Sequence, residues 1–466
     1  MFTKFKRQFL QGDVVWSLAS TALRMGSGIL VLPIALRTIP SAEMGIYYTF
    51  LSLSGLAAFL DFGMGGTIGR SAAYAWGGAT SFSARGLPEH HGRTEPNREL
   101  LATLAHLTQV WYYGLALVAA VLLALVGTVF VNQRVSESGL DSSMTLCWLF
   151  FSMVTAYGIG TSFWNMLLTG VGDVKNASRY GVIAQSISTI FLVVALLAGF
   201  KIWAYAISLL IGPMVGRYLA RNRFLLLMEQ PLPALFSKTD LSVLASLWPM
   251  TWRMGATVFG VFLMQRGNTL ICSAFLGLET TAKYGLTLNL FTILFQVTGV
   301  FLFVVNPKIA GAQVRRNIPE LRRLFLPRLY LGLGLACIGA AILIVFGAQI
   351  MQLIGSKTGL LSPGISCLLF VILLLDSHQS GYMNLVMASN ENPFVLPSLL
   401  SSIVMLGIAM WTTPHFGLLG MILTYGLVQL SWNHWWTVIR GARLLKMPVM
   451  DKTSGNELAA SIGKLR

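Results

Sequence analysis

The sequence predicts an all-α, polytopic membrane protein of about twelve transmembrane helices in two six-helix lobes, on three observations. Of its 466 residues 55% are hydrophobic and only 11% charged, with a mean hydropathy of +0.69. A soluble domain carries about 25% charged residues, so there is too little polar surface here for even one water-facing domain. Apolar runs of bilayer length recur from end to end, and the basic residues between them alternate in density. Such a chain is expected to move something across the bilayer.

A helix needs about 20 residues to cross a ~30 Å hydrocarbon core while satisfying its own backbone polar groups. On that ruler spans fall near 14–36, 44–66, 101–130, 144–168, 179–199, 203–220, 243–269, 284–306, 324–347, 365–388, 394–412 and 417–439. The basic start, with no small-residue cleavage site, reads as a retained first span rather than a signal peptide. The third span is longer than needed and should tilt or project. Spans five and six are divided at Gly199-Phe200-Lys201.

With the N-terminus inside, 25 of the 33 Lys and Arg fall in inside segments, and only Arg37, Arg134, Lys201, Lys283 and Lys357 fall outside. Moving the parity by one span inverts that bias, so the positive-inside rule places both termini in the cytoplasm. The net charge of +16 is then a topology signal and an attraction to anionic inner-leaflet lipid, the membrane partner. No nucleic-acid partner is needed to explain it.

The longest basic connection divides the chain into a first lobe (1–220), a cytoplasmic linker (221–242), a second lobe (243–446) and a cytoplasmic tail (447–466). An internal echo supports two like halves. Glu43-Met44-Gly45-Ile46-Tyr47 opens span two, and Lys283-Tyr284-Gly285-Leu286 opens span eight, with the glycines 240 residues apart. Asn165-Met166-Leu167-Leu168 and Asn384-Leu385-Val386-Met387 form a second echo. Halves of six spans share one topology and are related by an axis along the membrane normal, with a site expected between them.

Charges inside the spans mark candidate sites, because a central arginine costs about 2.5–3.5 kcal/mol to insert. Arg24 and Arg253 fall near the midplane of equivalent spans, one and seven. Ser17, Thr21, Arg24 and Gly28 continue one polar helical face. Arg266 is about 140° around the helix from Arg253 and fits either cavity lining or snorkelling toward the outer interface. In span eight Asn289, Thr292 and Gln296 follow helical spacing, compatible with substrate binding or interhelical hydrogen bonds. Asp376, Ser380 and Asn384 do the same in span ten beside His378 and Gln379. Asp376 is a candidate for proton coupling or for an ion pair to a neighbouring helix. Asp61, followed by Gly63, Gly65 and Gly66, sits at a kinked or fraying helix end and fits ion pairing, capping or coupling. Trp432, Trp435 and Trp436 read as an interfacial aromatic belt.

Cys147, Cys272, Cys337 and Cys367 sit singly in apolar runs, and His90 and His91 are adjacent in a polar loop, so no metal site is expected. There is no phosphate-binding GxxxxGK[ST] loop, no HExxH and no GxSxG. Neither a cofactor nor catalysis is expected, and the chain is not read as an enzyme.

The stretch Leu32-Pro33-Ile34-Ala35-Leu36-Arg37, then Glu43-Met44-Gly45-Ile46-Tyr47, Leu60-Asp61-Phe62-Gly63-Met64-Gly65 and Arg70 resembles the opening of a known family. That family is the polysaccharide-transporter branch of the multidrug/oligosaccharidyl-lipid/polysaccharide exporter superfamily, which includes Wzx-type O-antigen flippases. Leu168-Thr169-Gly170-Val171-Gly172-Asp173 extends the likeness, whereas the loop 77–100 departs from it. The resemblance implies a V-shaped, two-lobed transporter in the bacterial inner membrane. It implies alternating access that flips an undecaprenyl-diphosphate-linked oligosaccharide for lipopolysaccharide or another surface glycan, with other glycan-assembly membrane proteins as partners. Arg24 and Arg253 would hold the diphosphate, which suits bidentate arginine in a cleft of low dielectric. Arg266, Asn289 and Gln296 are further candidate substrate contacts, and Asp61 or Asp376 would couple the cycle to ions. The rival expectations are an ion-coupled small-molecule antiporter of the multidrug type and a membrane enzyme of glycan assembly.

Overall fold

The computed structural model describes residues 12–61, 63–82, 95–235, 241–315, 317–388 and 393–446. Every regular element among them is helical, in this order: α1 (Gly12–Thr38), α2 (Ser41–Ala58), α3 (Met64–Trp76), α4 (Arg98–Leu122), α5 (Thr128–Glu137), α6 (Ser143–Thr161), α7 (Phe163–Gly170) and α8 (Val174–Leu197). The second half runs α9 (Lys201–Met228), α10 (Leu241–Phe275), α11 (Gly277–Phe303), α12 (Asn306–Val314), α13 (Ile318–Ile354), α14 (Pro363–Met387), α15 (Val395–Val428) and α16 (His434–Lys446).

These helices make twelve crossings. Nine helical runs among the described residues are long and apolar enough to cross a membrane on their own, the last of them Val395–Lys446. That run is two spans, because Gly417 within α15 has φ 61 and ψ −150, a conformation open only to glycine. Spans two and seven complete the set. Span two is α2, a 3-10 turn at Phe59–Asp61 and α3, so the break expected near Asp61 is present, and the helix then resumes as far as Trp76. Span three continues through a π-helical segment at Leu123–Gly127 into α5, which makes it the long span the sequence implies.

Helix α9 continues to Met228 and α10 begins at Leu241, so helix occupies part of the stretch 221–242 read as a linker. The short helix α12 between spans eight and nine has no counterpart in the predicted spans. The loop with His90 and His91 and the tail 447–466 lie outside the described residues.

The bundle has two ends, here the terminal face, where α1 starts and α16 ends, and the distal face. Side-chain caps start helices at the terminal face: Asn97 accepts from the Leu100 amide at 3.1 Å and Asn317 from the Glu320 amide at 3.1 Å, each cap worth about 1 kcal/mol. The first lobe has a distal core around Phe50, Trp148 and Phe151, with Phe50 5.0 and 5.7 Å from the two rings. Leu278, Ala282 and Leu286 of α11 belong to that same core, so the lobes are packed into one another at the distal face. The second lobe has its own core around Tyr284, Phe291, Phe370 and Met421.

Between helices in lipid, association comes from close packing rather than from the hydrophobic effect, which favours small residues at contacts. The echoed glycines occupy that contact. A Cβ on Gly45 of α2 would stand 1.9 Å from the carbonyl oxygen of Leu278, and one on Gly285 of α11 would stand 2.5 Å from the ring of Tyr48. Each lobe thus inserts its glycine against the other, and the sequence echo marks the reciprocal halves of one interface.

Candidate functional site

Hydrogen bonds reinforce the distal contact between the lobes. Thr49 donates to Ser273 at 2.9 Å, the Lys357 amide to the Leu36 carbonyl at 2.8 Å, and Arg134 to the Ala274 carbonyl at 2.6 Å. Arg134 is buried, at 7% exposure, and also pairs with Glu137 at 2.7 Å. The distal side is therefore shut. Toward the terminal face the lobes meet through α10, where Trp111 and Trp248 lie 6.3 Å apart and Thr251 reaches Thr67 at 3.4 Å.

A cavity of about 340 Å³ lies between α1 of the first lobe and α11, α13 and α14 of the second. Its polar wall includes Thr21, Gln296, Asn306, Arg328, Ser380 and Asn384. Thr21 is the tenth residue of α1 and Asn384 lies near the end of α14, so the cavity occupies the terminal half of the bundle. Among the described residues Arg328 is the one charged residue in its lining, half-buried, donating to the Leu324 carbonyl at 3.0 Å and paired with no carboxylate. An unneutralised guanidinium in a low-dielectric wall attracts an anion strongly.

Of the candidate substrate contacts whose side chains are described, Gln296 is in the wall of this cavity and Arg24, Arg266 and Asn289 are not. Arg24 is the thirteenth residue of α1, one turn beyond Thr21 and exposed, with no ion pair among the described residues. About 60° around α1 from Arg24 the helix packs on α8, where Gln185 donates to Ser27 at 3.0 Å. Gln296 lines the cavity, but Asn289 does not share its surroundings: its side chain lies near Tyr48 in the other lobe. Arg266 is half-buried, close enough to Tyr47, Tyr48 and Tyr284 to act electrostatically on all three. The side chain of Arg253 lies outside the described residues. Arg328 is the residue that sequence reasoning missed, although a signal existed. It falls one turn inside the predicted ninth span, near enough to the basic connection before it to read as a topology charge rather than as a costly central one.

The two intramembrane carboxylates sit apart, one per lobe. Asp61 accepts a hydrogen bond from Tyr112, whose hydroxyl also lies 3.6 Å from the Met166 sulfur. Asp376 accepts from Tyr425 and Gln429, and Asn433 donates on to Gln429 at 2.9 Å. Neither forms an ion pair among the described residues. Asp376 borders a small pocket with Val261, Met264 and Phe394, and Ser380, one turn along α14, lines both this pocket and the large cavity. The stripe Asp376, Ser380, Asn384 is thus a bridge from a buried carboxylate to the cavity.

At the terminal face, outside the spans, Asp173 caps α8 and pairs with Arg223 at 2.7 Å. Partial burial pushes its carboxyl up, but hydrogen bonds from Asn176 and the pairing with Arg223 outweigh that and hold it below the usual carboxylate range. No group of three or more His, Cys, Asp and Glu able to hold a metal ion occurs among the described residues.

No family model matches the sequence, and no curated protein does. Solved structures match at the level of fold. An inward-facing multidrug resistance MATE family transporter of the MOP superfamily is 14% identical, with a TM-score of 0.62 over 94% of this chain and 96% of that one. An outward-facing structure described in the same terms gives 0.55 at 14% identity, over 94% and 97% of the two chains. A MOP superfamily transporter from Pyrococcus furiosus, described as having a binding pocket of reverse polarity that suggests a different function, gives 0.57 at 14% identity, over 94% and 96%. Across nearly its whole length, then, the chain has the all-α, multi-pass fold of MATE-type transporters of the MOP superfamily.

Proposed function

We propose that this chain is an alternating-access exporter that takes an anionic amphiphile from the terminal face, here read as cytoplasmic. The observation that carries the reading is the unpaired Arg328 in the wall of a cavity between the lobes, in the terminal half of a bundle shut at its distal end. Such a cavity admits cargo from one side only, and exchanging the two seals moves the cargo without a channel ever opening. The higher TM-score against the inward-facing neighbour than against the outward-facing one, 0.62 against 0.55, supports the same state.

The fold neighbours favour an ion-coupled exporter of small molecules, the multidrug type, over the flippase of lipid-linked oligosaccharide that the sequence resemblance implies. Asp61 and Asp376 are the groups through which ions would couple. The positive cavity argues against the cationic cargo for which acidic walls would be expected. The lipid-linked diphosphate is the second reading, favoured by Arg24 standing exposed on α1 one turn beyond Thr21, which lines a cavity with hydroxyl and amide groups in its wall.

Purified protein in proteoliposomes decides the matter. A fluorescent anionic amphiphile should be transported under a proton or sodium gradient, and a cationic dye should not. Translocation of a polyprenyl-diphosphate oligosaccharide alone would move the assignment to the flippase. Gradient-driven efflux of the cationic dye alone would overturn the anionic reading altogether.

A further inference from the structure

A second cavity lies in the first lobe; every described residue in its lining belongs to that lobe and none lines the cavity above. It is a groove of about 510 Å³ between α4 and α9, floored by α6 and α7. Its charged end holds Arg217 and Arg221, and its apolar end Ile211, Met214 and Tyr113. Arg217 is half-buried and donates to the Gly158 carbonyl and, at 2.5 Å, to Thr161, while Arg221 is exposed above the ring of Trp164 at 5.8 Å.

Three features select a ligand. The first is depth: Arg217 and Arg221 lie 16 and 20 residues from the distal start of α9, hence ~24 and ~30 Å along it. With Lys201 at the distal boundary of a hydrocarbon core of ~30 Å, that puts Arg221 at the headgroup boundary of the terminal-face leaflet and Arg217 about one turn, ~6 Å, inside it. The second is direction. The groove grades from guanidinium to apolar toward the midplane, and its apolar end runs on into Leu117 and Val121 of α4, 67% and 47% exposed, the surface that meets acyl chains. The third is charge. The nearby carboxylates are already used, Asp173 by Arg223 at 2.7 Å and Glu229 by Arg98 at 2.9 Å, and no carboxylate among the described residues pairs with Arg217 or Arg221.

We propose that this groove is a binding site for an anionic phospholipid of the terminal-face leaflet, its phosphate held by Arg217 and Arg221 and its acyl chains laid along α4 and α9. Basic pockets between transmembrane helices hold such headgroups, and two guanidinium forks fit a phosphate bidentately. The site does not depend on what the central cavity carries.

The test is native mass spectrometry of the delipidated full chain, titrated with dioleoyl-phosphatidylglycerol or dioleoyl-phosphatidylcholine. Phosphatidylglycerol should bind more tightly, and Arg221→Gln should weaken it about fivefold, with a similar further loss for Arg217→Gln combined with it. Lys175→Gln, which removes an exposed charge at the same face, should leave binding unchanged. Arg221 is exposed and its replacement does not endanger folding, so that variant carries the test if the double variant fails to fold. Equal binding of the two lipids, or wild-type affinity in Arg221→Gln, would overturn the proposal. Displacement of the lipid by millimolar inorganic phosphate would assign the groove to free phosphate instead, and displacement only by a polyprenyl phosphate would assign it to an isoprenoid lipid.

Discussion

Replacing Gly45 by alanine tests the reciprocal glycine contact directly. The new Cβ would stand 1.9 Å from the Leu278 carbonyl oxygen, whereas carbon and carbonyl oxygen come no closer than about 3.3 Å. The missing ~1.4 Å cannot come from a flexible side chain, because the obstacle is backbone, so α2 and α11 must separate. Overpacking of this kind costs about 1–3 kcal/mol, and all of it falls on the state in which the distal face is shut. A two-state equilibrium then moves about 5- to 150-fold toward the distally open state. Spin labels on Ser138 and Glu279, both exposed at the distal face and in opposite lobes, read the change by pulsed electron resonance after Cys147, Cys272, Cys337 and Cys367 are replaced. Gly45→Ala should add a longer-distance population. Gly114→Ala, where a Cβ meets nothing within 4 Å, should not. An unchanged distance distribution together with an unchanged melting temperature would refute the seal.

Arg328→Ala and Arg24→Ala should each cut transport of an anionic cargo at least tenfold, the loss of one charge-assisted contact of about 1.5–3 kcal/mol, while thermal unfolding stays near wild type. Wild-type transport in the Arg328 variant would remove that residue from the site. Asp173→Asn keeps a capping oxygen on α8 but loses the pair with Arg223, and should cost under ~1 kcal/mol, since both partners are partly exposed. Because the folded-state carboxyl of Asp173 is held low, its contribution is present above about pH 4 and is lost as pH falls through the folded value. The stability gap between wild type and variant should therefore close in acid, and a gap independent of pH would contradict the pairing.

The fold was legible because lipid leaves few choices. Backbone groups that find no water must pair within helices, so twelve apolar runs became twelve crossings, and even the cut at Gly199-Phe200-Lys201 matches the break between α8 and α9. The echo around Gly45 and Gly285 was legible as a repeat, but its meaning was not. That each glycine is pressed against the opposite lobe depends on the crossing of α2 and α11, which no local pattern encodes. The site was legible only in part. Helical spacing placed Asn289 with Gln296 and Asp376 with Asn384, whereas the two turns between the members of each pair, about 11–12 Å along α11 and α14, give them different neighbours. Arg328 was hidden by position: a basic residue one turn inside a span looks like a topology signal until the facing helices show that it borders a cavity.

The position of Asp376 makes the sign of ion coupling a measure of the cargo's charge. Ser380 belongs to the walls of both the carboxylate pocket and the central cavity, so a charge bound in the cavity acts on Asp376 across about one helical turn of low-dielectric protein. An anion there disfavours the carboxylate and so favours its proton, and by reciprocity the proton favours the anion. A cation does the reverse, and proton and cargo then compete. Affinity for an anionic amphiphile, measured by calorimetry in nanodiscs, should therefore rise as pH falls through the titration of Asp376, and Asp376→Asn should abolish the dependence while keeping the hydrogen bonds of Tyr425 and Gln429 geometrically possible. A cargo affinity that instead falls with pH in the wild type, and becomes flat in the variant, would mean that cargo and proton compete for one negative site. The arginines would then serve the fold or the lipid surface rather than the cargo.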